Sequence, residues 1–134
     1  LPPTAGYLAH EHIELRDRLG LLTRSVEEES AAADAELEST LGQLHDLGLL
    51  KPEATEREKV EALHRFLLLT PAKLLGVALA DAVGDRRAIN QPGTYDEYPN
   101  WRLPLSDGVG QPILLEDVMT SIRAHSLART VEDL

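Results

Sequence analysis

Between residues 84 and 112 the chain carries Gly84, Pro92, Gly93, Pro99, Pro104, Gly108, Gly110 and Pro112. Proline removes a backbone donor and glycine costs conformational entropy, so no regular helix or strand can run through this stretch. The core of a chain of 134 residues must therefore come from what flanks an irregular segment. Irregular segments this long are uncommon in compact domains and are often functional.

The flanks read as helix. In residues 7–22, Leu8, His12, Leu15, Leu19 and Leu22 recur every three or four positions, along one helical face, and Gly20 weakens the last turn. Ser25 precedes Glu28 by three, a capping box that opens a stretch with Leu37, Leu41 and Leu44 as its apolar stripe and Gly48 as its stop. Residues 27–38 of it are acidic and are expected to face solvent. Thr55 and Glu58 repeat the box, and Val60, Leu63 and Leu67 extend a helix that ends before Pro71. Residues 115–127 form a last helix, with Met119, Ile122 and Leu127 at helical spacing and Glu116 and Asp117 in the first turn. Residues 74–80 are uniformly apolar, which fits a buried strand or a buried helix; the length favours a strand. The expectation is one domain, mainly α as an isolated chain.

Composition narrows function. Thirteen Lys and Arg against twenty-three Asp and Glu give a net charge of −10, which argues against nucleic acid and anionic membranes as partners. Without cysteine there is no disulfide, thiolate catalysis or cysteine-based zinc site, in keeping with a cytoplasmic location. The apolar run at 74–80 is far short of the roughly 20 residues that cross a bilayer, and neither a membrane span nor a secretory leader is expected. The opening Leu1-Pro2-Pro3-Thr4 lacks methionine and reads like the middle of a loop, as in an excised piece; a processed terminus would look the same.

Few residues invite chemistry. On one helix His10 and His12 would point about 200° apart and could not share an ion. His45, His64 and His125 stand alone on separate expected helices. Gly108-Val109-Gly110 leads into Gln111-Pro112 and not into a helix start, so a nucleotide cofactor is not supported. The informative stretch is residues 90–105, where Tyr95, Tyr98 and Trp101 are three of the chain's five aromatics. Aromatic faces beside Asn90, Gln91, Asp96, Asn100 and Arg102 suit a pyranose, which has an apolar face and a rim of hydroxyls. The same aromatics could instead pin a proline-rich loop to the body. Asp81, at the end of the apolar run, is a cleft carboxylate if the run is a barrel strand and a polar turn position if it is a helix.

Three stretches together resemble the amylomaltases, 4-α-glucanotransferases of glycoside hydrolase family 77 built on a (β/α)₈ barrel. Residues 1–8, LPPTAGYL, resemble the stretch directly after the family's His-Asp pair, whose aspartate stabilises the transition state. Residues 70–81 resemble the last barrel strand and its approach. Asn90-Gln91-Pro92-Gly93-Thr94 with Pro99-Asn100-Trp101-Arg102 resembles the Asn-x-Pro-Gly-Thr and Asn-Trp elements of the loop after that strand. The resemblance divides the chain into a helical region (1–69), the last barrel strand and groove loop (70–112) and a C-terminal helix (113–134). It implies an α-glucan or maltooligosaccharide substrate, no cofactor, and Asp81, Asn90, Asn100 and Trp101 as groove or loop-framing residues, with Arg102 holding the loop electrostatically. It places all three catalytic carboxylates upstream, so no catalytic residue is expected in this chain, and the chain alone is not expected to be active. Asp81, Asp96 and Glu97 are not substitutes, because retaining transfer needs two carboxyl groups across one scissile bond.

Deprived of neighbouring strands, residues 74–80 are expected to turn helical, pair with a second copy or hide beneath the helices, and the uncovered surfaces to self-associate. Two other readings are a helical interaction module for a partner protein, which needs no catalytic residues, and a stand-alone carbohydrate-binding domain using the aromatic loop.

Overall fold

A computed structural model describes residues 2–132; Leu1, Asp133 and Leu134 lie outside the described residues. Helices are α1 (Thr4–Leu8), α2 (Glu11–Arg18), α3 (Val26–Asp46), α4 (Glu56–Leu68), α5 (Leu79–Val83), α6 (Leu115–Thr120) and α7 (Ile122–Glu132). Among the described residues the only β pairing is an isolated bridge between Ser106 and Pro112. The chain is mainly α, as its periodicity predicts.

Both capping boxes form. The Ser25 hydroxyl accepts from the Glu28 N–H while the Glu28 carboxylate accepts from the Ser25 N–H, and Thr55 and Glu58 do the same. These bonds hold the exposed Glu28 and Glu58 carboxyls below the usual range. At the other ends, Gly20 and Gly48 adopt φ of 68° and 71°, and Leu21 and Leu49 donate back to Arg16 and Leu44. Only glycine takes that left-handed turn without cost, so Gly20 terminates α2 where the sequence suggested a mere weakening.

The single helix expected over residues 7–22 is broken in two. His10 sits at φ 58°, ψ 22° between α1 and α2. The break lets α1 pack on α4 while α2 packs on α3, and it buries Ile13, which lies off the predicted stripe. His10 and His12 are consequently not on one helix. The His12 ring stacks on Tyr7 and stands edge-on to His10, with centroids 5.6 and 6.2 Å apart. The terminal helix is likewise split, at Ser121, whose ψ of 123° is extended.

Two small apolar clusters hold the chain. Leu44, Leu50 and Ala62 join α3 to α4, with Leu41, Leu63 and Phe66 around them. Leu15, Ala88 and Tyr98 join α2 to the irregular segment. Residues 74–80 belong to neither. They form neither helix nor ladder up to Ala78, itself extended at ψ 137°, and enter α5 at Leu79, so the strand is not formed here. Nor are they hidden beneath the helices: Leu74 is 91% exposed, Val77 40% and Leu79 50%. Backbone groups with no adjacent strand to pair with stay in water, and the apolar side chains stay with them.

Candidate carbohydrate groove

The irregular segment is ordered by polar side chains at its entrance. Asp85, only 6% exposed, follows α5 and accepts from the Arg87 guanidinium through both oxygens, at 3.1 and 3.0 Å. It also accepts from the N–H groups of Arg87 and Ser106, both at 3.0 Å, and Arg87 reaches on to the Pro104 carbonyl at 2.7 Å. Burial alone would raise the Asp85 carboxyl; the guanidinium and the two backbone donors outweigh it and hold the pKa below the usual value. Arg102, expected to secure the loop electrostatically, has an exposed side chain and no ion pair among the described residues. That work falls to Arg87, whose partner two residues away carries no sequence signal beyond an acid opening a proline-rich stretch.

Asn100 is the second organiser. Its Oδ1 accepts from the Gln91 N–H at 2.7 Å, and its Nδ2 donates to Thr94 Oγ1 at 2.9 Å and to the Tyr98 carbonyl at 3.2 Å. Thr94 Oγ1 in turn donates to the Gln91 carbonyl at 2.6 Å. One amide thus staples the Asn-x-Pro-Gly-Thr turn to the Asn-Trp element.

The aromatics divide between the two roles the sequence left open. Tyr98 is buried and pins the loop, donating its hydroxyl to the Ala88 carbonyl at 2.5 Å. Burial pushes its phenol pKa up against the pull of Arg87 and Arg18, which keeps the hydroxyl a donor. Trp101 and Tyr95 are 71% and 83% exposed. Trp101 is also held at φ 60°, its N–H donating to the Ile89 carbonyl at 2.8 Å. A left-handed conformation costs a bulky L-residue roughly 1–2 kcal/mol, and such strain clusters at functional sites.

Asn90, Asn100 and Trp101 come together on one open depression of about 450 Å³, with Gln91, Tyr95 and Arg102. Asn90, Gln91 and Pro92 are shared with an adjoining cavity of about 420 Å³ that Pro2, His12 and Arg16 complete. Asp81 is elsewhere. It lines another cavity of about 420 Å³ whose wall includes Pro2, Asp85 and Leu103, and its carboxylate is already engaged by Thr4, the Thr4 N–H at 2.7 Å and the hydroxyl at 2.9 Å. His64 Nε2 lies 3.6 Å from it. Among the described residues no three His, Asp or Glu side chains converge in a way that could hold a metal ion, and no helix is long and apolar enough to cross a membrane.

The chain is similar to known proteins. The family model for 4-alpha-glucanotransferase, glycoside hydrolase family 77, matches residues 1–109. The 4-alpha-glucanotransferases of Mycobacterium tuberculosis and Mycobacterium bovis are 55% identical over 133 residues, which cover 98% of this chain and 18% of each of those proteins. The crystal structure of amylomaltase from Corynebacterium glutamicum matches with a TM-score of 0.91 at 38% identity, over 97% of this chain and 20% of that one. The chain thus spans about a fifth of the length of the relatives it matches. On the family match over residues 1–109 and the relatives' agreement along nearly its whole length, this chain belongs to the 4-alpha-glucanotransferases of glycoside hydrolase family 77.

Proposed function

We propose that the chain forms part of a 4-α-glucanotransferase that moves 1,4-α-glucan segments to the 4-hydroxyl of glucose or another glucan. In this reading an aspartate elsewhere in the protein attacks the anomeric carbon while a glutamate protonates the departing O4. The glycosyl ester is then opened by an acceptor 4-hydroxyl, which returns its proton to the glutamate. A third carboxylate, just before Leu1, stabilises the transition state. The chain itself supplies binding surface, not reacting groups, and works in the cytoplasm.

The observation that carries the reading is Trp101: an exposed ring in a strained backbone position, framed by an asparagine that is fully used in holding the loop. A helical interaction module has no need of such a framed aromatic. A sugar ring laid on Trp101 would bury its apolar face, with the Asn90 amide beside it for the hydroxyls. The exposed apolar residues 74–80 fit the same reading as a barrel strand whose neighbours lie in the remaining part of the protein.

The test is disproportionation of maltotriose by the full-length protein, followed as glucose release, with the isolated chain beside it. Glucose from the full-length protein alone is the expected result. No product from a folded full-length protein would overturn the reading, and glucose from the isolated chain would overturn its division of labour.

A further inference from the structure

Asp81 has a more specific part than that of a groove residue. It sits on a helix of a single turn, 8% exposed, at the point where the chain leaves the apolar run for the loop. Its two oxygens take the Thr4 N–H and the Thr4 hydroxyl, a residue 77 positions away. The N–H belongs to the first turn of α1, so a carboxylate there completes the helix end as a capping side chain would. Neither Pro3 nor any other neighbour in sequence caps α1 by its side chain. Behind the carboxylate, the buried His64 is oriented by its own helix: its Nδ1 lies 2.8 Å from the Val60 carbonyl, which can only accept, so Nδ1 carries the proton and Nε2 faces Asp81.

The consequence lies in what Thr4 holds. Pro2, two residues before it, lines three cavities: the one containing Asp81, the one against Tyr98, and the one that shares Asn90, Gln91 and Pro92 with the Trp101 depression. With proline at positions 2 and 3 the link from Thr4 to this wall is short and has fixed φ angles. A displacement at Thr4 is therefore passed on and not absorbed. The geometry points to Asp81 as a positioning residue for glucan transfer: through Thr4 it sets where the opening segment lies against the Asn90–Asn100 loop. This rests on the proposed function, in which the transition-state carboxylate directly precedes that segment. The catalytic contribution of such a carboxylate depends on placement to within a fraction of an ångström, and misplacement by 1 Å can cost on the order of a hundredfold.

The experiment uses the full-length protein with Asp81→Ala, Thr4→Val and Thr4→Ser. Initial rates with maltotriose give kcat and KM, each rate divided by the amount of glycosyl enzyme trapped by an activated fluoro-sugar, so that only folded, competent molecules are counted. Thr4→Val is the decisive variant, because it keeps the shape of the side chain and removes only the hydroxyl. Expected is a loss of kcat per competent site of about tenfold for Thr4→Val, more for Asp81→Ala, with KM within about twofold and with Thr4→Ser close to wild type. A clamp that only stabilised the fold would lower the trapped amount and leave kcat per trapped site unchanged. That result for Thr4→Val overturns the inference, whether or not Asp81→Ala folds. Wild-type protein without transferase activity would overturn the proposed function instead, so the two failures are distinct.

Discussion

Gly6 of α1 lies directly against the backbone of Arg86: a Cβ at residue 6 would stand 2.9 Å from the Arg86 carbonyl carbon, with the carbonyl oxygen closer still. The neighbour is main chain and cannot rotate away. Arg86 is further fixed by its guanidinium, which pairs with Glu56 on α4 at 2.5 Å. Gly6→Ala is therefore expected to destabilise the protein by about 3 kcal/mol, the upper end of what overpacking a buried site costs. Thermal unfolding measures it, and a variant as stable as wild type would mean that α1 does not approach residue 86 this closely.

Asp85 predicts how the loop answers to acid. Its folded pKa lies below that of an unfolded aspartate, about 3.9, because Arg87 and two backbone N–H groups favour the charged form. The stabilisation is thus complete above about pH 5 and is lost as pH falls through 4 and below. Protection of the Arg87 and Ser106 amides, both bonded to this carboxylate, should fall over that range when exchange is taken relative to the intrinsic rate at each pH. Asp85→Asn should raise the exchange already at pH 7, costing about 2 kcal/mol for the lost charged bonds, and should flatten the acid response.

Trp101 carries a prediction with two signs. Replacing it by glycine relieves the left-handed strain, whereas alanine keeps most of it, so Trp101→Gly should be about 1 kcal/mol more stable than Trp101→Ala. Both should weaken maltooligosaccharide binding by the full-length protein by about tenfold, a loss of roughly 1.4 kcal/mol. Calorimetric titration with maltoheptaose checks the affinity. Equal stabilities of the two variants would show that the backbone at residue 101 is not strained.

How far the sequence foretold this arrangement can be traced residue by residue. Ser25, Glu28, Thr55, Glu58 and Gly48 act through neighbours at most four positions away, so spacing alone locates the ends of α3 and α4. The break at His10 and the kink at Ser121 answer to packing between helices remote in sequence, which no local period records. The site was half legible. A cluster of aromatics and amides marked the loop, and the resemblance named its motifs, but only geometry separates the pinning Tyr98 from the exposed Trp101. Asp85 with Arg87, and Asp81 with Thr4, were missed in these pairings because a carboxylate's partner is chosen by the fold.

The Asn100 staple predicts that acid and alanine substitutions differ in kind. Asn100→Ala removes the bonds to Gln91, Thr94 and Tyr98 and should cost about 2 kcal/mol, leaving the turn solvated. Asn100→Asp keeps the acceptor for the Gln91 N–H but turns the donor into an anionic oxygen facing the Tyr98 carbonyl. It should be at least as damaging at pH 7 and recover at low pH, where a protonated carboxyl can donate again. Glucan affinity of the full-length protein at pH 7 and pH 4.5, compared with wild type at each, reads out the difference.

The exposed apolar run predicts how the isolated chain behaves. Leu74, Val77 and Leu79 stand in water, and residues 74–77 belong to no helix or ladder, the Ala78 carbonyl being the first taken up, by the Asp81 and Ala82 N–H groups of α5. An extended apolar segment with free backbone groups is a template for pairing with another copy. In the amylomaltase of Corynebacterium glutamicum the matched stretch is only 20% of the chain, so such a face there has four-fifths of a protein available to cover it. The isolated 134-residue chain should therefore self-associate at micromolar concentration, and Leu74→Asp with Leu79→Asp should return it towards the monomer by placing desolvated charge in any such contact. Sedimentation velocity distinguishes the outcomes. A wild-type chain that stays monomeric at the highest soluble concentration would mean that this segment, although apolar, does not act as an edge.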